Sequence, residues 1–94
     1  MEKVKYTDFV KQVASDSGYP QKHIDAILKS ASKCCAKNLI DGMSTAVMLG
    51  VAIYPSIFPA TDRKDKNGNI VHYDAVIYPR ARFGPYFKNQ LLNS

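Results

Sequence analysis

Cysteine is nearly absent from this chain: Cys34 and Cys35 are the only two, and they are neighbours. Both fall within a helical pattern, where bridging adjacent residues would be strained, so no disulfide framework is expected. Adjacent free thiols fit a reducing compartment. On a helix they read as small hydrophobes at buried positions rather than as redox centres. Tryptophan is missing altogether, and so are long apolar runs. The longest, Ala46 to Tyr54, is far too short to span a bilayer. The opening MEKVKYTDF is charged where a leader peptide needs an apolar stretch. These absences lead us to expect a soluble, cytoplasmic protein with no membrane partner. Catalytic motifs are missing as well: there is no Gly-rich phosphate loop, nucleophile elbow or paired-carboxylate pattern. His-x-Asp occurs twice, at His23–Asp25 and His72–Asp74, but neither pair has further ligands at sensible spacing. We expect no enzyme, no metal and no cofactor.

What is present is one small domain of 94 residues. A chain of this size is short of core, and small domains commonly need disulfides, metals or a second subunit. With the first two excluded, oligomerisation is the expected staple. Thirteen basic residues against eight acidic ones leave a net charge of +5, which favours an acidic partner such as nucleic acid.

The pattern along the chain predicts α+β. Thr7 is the expected N-cap of a first helix whose apolar face is Phe9, Val10, Val13 and Ala14, stopping at Gly18. Pro20 suits the first position of a second helix. That helix carries the stripe Ile24, Ile27, Leu28, Ala31, Cys35 and Leu39 and ends at Gly42, with Lys22, Lys29, Lys33 and Lys37 on its solvated face. Thr45 to Tyr54 reads as a single covered strand in which Gly50 marks a bulge or a close backbone approach. Pro55 and Pro59 place the following segment at an edge or an irregular crossing. A return strand runs from about Asn69 to Tyr78, with Arg80 to Phe83 able to continue it. Gly84-Pro85 then opens a terminal helix with Phe87, Leu91 and Leu92 inward. Phe9, Phe83 and Phe87 fit the core. Tyr73, Tyr78 and Tyr86 are the candidates for exposure, which leaves single-strand or RNA stacking as a minor reading. The boundaries are a helical hairpin over about 7–42, sheet and hairpin over about 44–83, and the last helix over about 85–92.

Between the two strands lies TDRKDKNGNIVHYD, Thr61 to Asp74. Asn67-Gly68 signals a tight two-residue turn with φ > 0 at both central positions. Arg63-Lys64-Asp65-Lys66 just before it is too polar to pack against protein. A long hairpin with a charged, core-less tip is built to reach something else.

Taken in order, these pieces resemble the bacterial HU and integration host factor family of nucleoid proteins, over nearly the whole chain from Tyr6 to Asn93. TDFVKQVASDSGYPQKHIDAIL is similar to that family's first two helices, AVMLGVAIYPSIF to the strand leading into its DNA-binding arm, RKDKNGNI to the arm tip, and RARFGPYFKNQLL to the closing strand and terminal helix. The resemblance implies an intertwined homodimer whose two β-arms embrace duplex DNA through the minor groove, above a saddle of sheet. It assigns Arg63, Lys64, Lys66, Asn67 and His72 to the arm. Arg80, Arg82 and Lys88 go to the saddle and final helix. Where the family's tip reads Arg-Asn-Pro before Thr-Gly, this chain has Asp65 in place of the proline. An aspartate is no apolar wedge between base pairs, so gentle curvature or coating is expected in place of a sharp kink.

The implied function is duplex binding and compaction with little sequence preference, in a nucleoid-associated setting of a bacterial or phage-infected cell, with a virion as the alternative. A rival of another class is a dimer of the same fold that serves protein interaction and pairs with a second HU-type chain. Asp62, Asp65 and Asp74 in and around the arm favour it.

Overall fold

The computed structural model describes residues 2–93. Their order is α1 (Tyr6–Ser17), α2 (Gln21–Ile40), β1 (Thr45–Met48), β2 (Val51–Phe58), β3 (Thr61–Lys64), β4 (Ile70–Tyr73), β5 (Val76–Phe83) and α3 (Pro85–Leu92). The helix, sheet, hairpin, helix order is the expected α+β one. The chain divides into two compact units, one up to Cys34 and one from Cys35 onward.

In the first unit, Val10 of α1 and Ile24 of α2 are buried. The rest of the α2 stripe is less covered: Leu28 is half-buried and Ile27 exposed. Thr7 is not the N-cap. Lys5 holds that position with an extended backbone and no side-chain cap bond, and Phe9 N–H donates to its carbonyl at 2.9 Å. Pro20 is likewise one place earlier than expected. Its carbonyl accepts from His23 and Ile24 N–H, so it flanks α2 and Gln21 is the first helical residue.

Starting α1 at Tyr6 accompanies a tie across the hairpin. The Tyr6 hydroxyl donates to Asp25 Oδ1 at 2.8 Å, and Lys29 Nζ sits 2.9 Å from Asp25 Oδ2. Lys29, then the Tyr6 hydroxyl, hold the Asp25 carboxyl below its ordinary value, while Asp25 pushes Tyr6 and Lys29 upward. A carboxylate depressed on folding contributes stability above its unfolded value of 3.8 and loses it as pH falls through the lower folded value. Thermal melts at about pH 5 and about pH 3 should therefore show a larger drop in Tm for the wild type than for Asp25→Asn. The difference will be modest, because the groups are exposed and solvent-screened.

In the second unit, α2 closes with paired bonds from Met43 N–H to Asn38 and from Gly42 N–H to Leu39, the usual reversal at a helix C-terminus. Asn38 Nδ2 then donates to Thr45 Oγ1 at 3.0 Å, fixing the start of β1. The segment Thr45 to Tyr54 is two strands, not one: it turns back at Leu49-Gly50, and β1 pairs antiparallel with β2, Thr45 opposite Ile53. Gly50 has φ +77°, and its carbonyl accepts from Gly84 N–H at 2.8 Å. This is the close approach that the glycine signalled, and it seats the β1–β2 turn against the start of α3. There Tyr86 and Phe87 meet edge-to-face at 5.2 Å.

The three-stranded sheet runs β1-β2-β5, and β3 and β4 form a separate two-stranded ladder. β1–β2 shifts register between Ala46 and Met48, whereas β2–β5 and β3–β4 share one unbroken register. Phe58 faces Val76 and Thr61 faces Tyr73, with two residues on each strand left out between them. Of the two settings expected for Pro55, the edge is the one found: it lies inside β2, past the end of β1 and directly opposite Pro79 of β5. Two prolines cannot exchange N–H···O bonds, so the rung falls at a non-hydrogen-bonded position with both imino nitrogens turned outward. β1 stops short of Pro55, and β5 has no neighbour beyond, so no ladder bond is lost on either side.

Much apolar surface stays uncovered in the single chain. Ile40, Ile57, Ile77, Phe83, Leu91 and Leu92 are all exposed, Leu91 by 78%. Phe9 and Phe83 are therefore not core residues here, and Cys34 is exposed and Cys35 half-buried, where burial was expected. Within the second unit, a three-stranded sheet has too little area to cover its own apolar faces. Among the described residues no helix is long and apolar enough to cross a membrane.

Candidate nucleic-acid interface

Strand alternation sorts the side chains of the two ladders onto two faces. One face of β2–β5 carries Ile53, Pro55, Ile57, Ile77, Pro79 and Ala81 in facing pairs. Pro55, Ile77 and Pro79 line a cleft with Ala36, Leu39 and Ile40 of α2, so this side is the apolar one. The other face carries Ala52, Tyr54, Ser56 and Phe58 opposite Arg82, Arg80, Tyr78 and Val76. Here Arg80 lies over the Phe58 ring at 5.9 Å and Arg82 over the Tyr54 ring at 5.7 Å. Phe58 meets Tyr78 edge-to-face at 5.4 Å. A guanidinium drawn over a ring face can still turn N–H groups to a phosphate, and it loses less freedom when it binds one. Arg80 and Arg82 share a face, as their spacing requires, and Tyr54 and Phe58 are the supports that sequence reasoning missed.

Lys88 belongs to another surface, a shallow groove on α3 shared with Phe83, Phe87 and Leu91. The ring-supported pair is formed by the two arginines without it.

The arm tip is built differently from expectation. Among the described residues none other than glycine has positive φ, so Asn67-Gly68 is not the two-residue turn with both centres left-handed. Gly68 alone is left-handed there, at φ +82°. Its N–H donates to the Asp65 carbonyl at 3.1 Å, while Asp65 N–H donates to the Asn69 carbonyl at 2.8 Å. The loop is the three-residue kind, with glycine at its left-handed position. Asp65 is what selects it: Oδ1 accepts the N–H groups of both Asn67 and Asn69 at 2.9 Å. The residue standing where the resembled family has a wedge is therefore the fastening of the turn.

Arg63 faces Val71 and Lys64 faces Ile70, so the two adjacent basic residues point to opposite sides of the arm. With Lys66 and Asn67 they are exposed. His72 does not stand free. Its Nδ1 is 2.7 Å from Asp62 Oδ1 and its Nε2 is 3.2 Å from Asp74 Oδ1. The carboxylates cap opposite sides of the ring and do not converge, and among the described residues no group of three or more His, Cys, Asp or Glu is placed to hold a metal ion. From the ladder break outward, Asp62, Asp65 and Asp74 offset Arg63, Lys64 and Lys66 one for one. The basic excess of the second unit thus lies with Arg80, Arg82 and Lys88 rather than at the tip.

The same fold is found in a solved structure. Anabaena HU, cocrystallised with DNA, superposes with a TM-score of 0.78 at 16% sequence identity, covering 96% of this chain and 99% of that one. The fold is HU-like. No protein-family model matches the sequence, and neither does any curated protein.

Proposed function

We propose that the protein is a divergent member of the HU and integration host factor family that binds double-stranded DNA with little sequence preference. It acts as a homodimer with a compacting or architectural role on a nucleoid. The observation that carries this reading is the face on which Arg80 and Arg82 lie over the Phe58 and Tyr54 rings, in a fold shared with an HU that is seen on DNA. The uncovered apolar surface supports the second subunit, because among the described residues only Val10 and Ile24 are buried in the single chain. In the dimer the arms enter or flank the minor groove, with Arg63, Lys64 and Lys66 against phosphates. No proline wedge is present at the tip.

Binding by charge neutralisation releases counterions, so affinity falls with salt. With about 6 phosphates neutralised, log K against log salt should have a slope of about −5. Fluorescence anisotropy of a labelled duplex of about 30 base pairs, titrated at several salt concentrations, reads this directly. Arg63→Glu with Lys64→Glu should weaken binding to two unrelated duplexes alike, since phosphate contacts carry no sequence information. Unchanged affinity would remove the arms from the interface.

The even balance of charge along the arm favours a second reading, a dimer of this fold whose arms engage another protein. It predicts no duplex binding even at low salt, with a second HU-type chain recovered on co-purification.

A further inference from the structure

The ladder break at Pro59-Ala60 and Asp74-Ala75 leaves a depression of about 450 Å³ at the root of the arm, lined by Phe58, Pro59, Arg63, Tyr73, Asp74 and Tyr78. Its chemistry is unlike the tip. Three aromatic rings converge there, and Phe58, Tyr73 and Tyr78 stay about half exposed, at 47%, 52% and 50%. Phe58 and Tyr78 are set edge-to-face, which holds the floor in one geometry. Two polar groups of opposite character border it. Arg63 makes no ion pair among the described residues, and Asp74 has one carboxylate oxygen turned to His72, which leaves the other to accept. Apolar rings with one donor fork and one acceptor suit a flat heterocycle with both kinds of edge.

We infer that this depression is a receptor for one unstacked purine base, guanine before adenine, held between Tyr73 and the Phe58–Tyr78 pair. Rings of this kind stack with bases of any identity, and the polar pair supplies the choice. Guanine offers acceptors at O6 and N7 to an arginine fork, and its N1–H and N2–H₂ donors match a carboxylate. Adenine offers no acceptor at C6 and places a donor against Arg63. The site rests on the duplex-binding reading above and goes beyond it, because it gives the arm root a local preference on a surface otherwise blind to sequence.

The test is anisotropy at fixed salt on four duplexes carrying a single extrahelical G, A, C or T, beside the fully paired duplex. The wild type should prefer the extrahelical G over the other three by about 10-fold. Tyr73→Ala and Asp74→Asn should each remove that preference and leave affinity for the paired duplex within about 2-fold, while Tyr73→Phe keeps it. Tyr73 and Asp74 are exposed, and circular dichroism of each variant verifies the fold. Equal affinity for all four bulged duplexes, with the paired duplex still bound, would overturn the pocket and leave the duplex reading standing. A guanine preference that survives both Tyr73→Ala and Asp74→Asn would also overturn it. Binding of no duplex at all would overturn both.

Discussion

Replacing Gly50 by alanine lowers the stability of the fold by about 2–5 kcal/mol, the sum of a left-handed backbone penalty and an overpacking cost. The backbone there has φ +77°, and an added Cβ would meet Tyr86 Cβ at 2.8 Å and Phe87 at 3.2 Å. Neither neighbour can yield cheaply. Tyr86 Cβ is fixed to the first turn of α3, and the Phe87 ring is held edge-on by Tyr86 and Phe83. Gly68→Ala is the control. Its φ of +82° is equally left-handed, but an added Cβ meets nothing within 4 Å, so only the backbone penalty of about 1–2 kcal/mol remains. Denaturant unfolding at one protein concentration, kept fixed because association shifts apparent stability, separates the two. Equal midpoints for both variants would mean that the β1–β2 turn does not bear on α3.

The second large effect concerns binding. Arg80→Ala with Arg82→Ala should lower duplex affinity by about 100-fold at about 0.1 M salt and shrink the salt slope by about 2, one unit for each phosphate left without its arginine. The same positions changed to lysine keep the charge but lose the planar guanidinium over Phe58 and Tyr54. The slope should then persist while affinity falls by a smaller factor. Anisotropy titrations across salt distinguish these outcomes. An alanine pair that binds as the wild type does would move the interface off this face of the sheet.

The helices and the terminal helix were legible because their signals are local: a 3.6-residue period, Gly18 and Gly42 as stops, and Gly84-Pro85 as a start. The split of Thr45 to Tyr54 was not. TAVMLGVAIY is apolar throughout, so alternation is silent about where it reverses, and Leu49-Gly50 lacks the Asn-Gly signature of a turn. Pro55 was legible as an edge residue, while the reason β2 is an edge there, that β1 ends before it, is a fact of pairing and not of composition. The candidate site divides in the same way. The basic residues were visible as letters, and the two-residue spacing of Arg80 and Arg82 correctly put them on one face. The rings beneath them depend on register and on diagonal reach: Tyr54 stands opposite Arg80 yet lies under Arg82, and Phe58, opposite Val76, lies under Arg80. At the tip, Asn67-Gly68 was legible as a turn. The side chain of Asp65, by taking two backbone N–H groups, changed which turn it is.

The proline rung has one more consequence. β5 is an edge strand along its whole length, and β2 is an open edge past Ile53. Such long, exposed borders are templates on which a stray strand from another molecule could grow toward a fibre. At Pro55 and Pro79 both borders lack the hydrogen that such growth needs, at the same height on the ladder. A chain that leaves so much apolar surface open thus carries a block to edge-to-edge stacking on both strand borders.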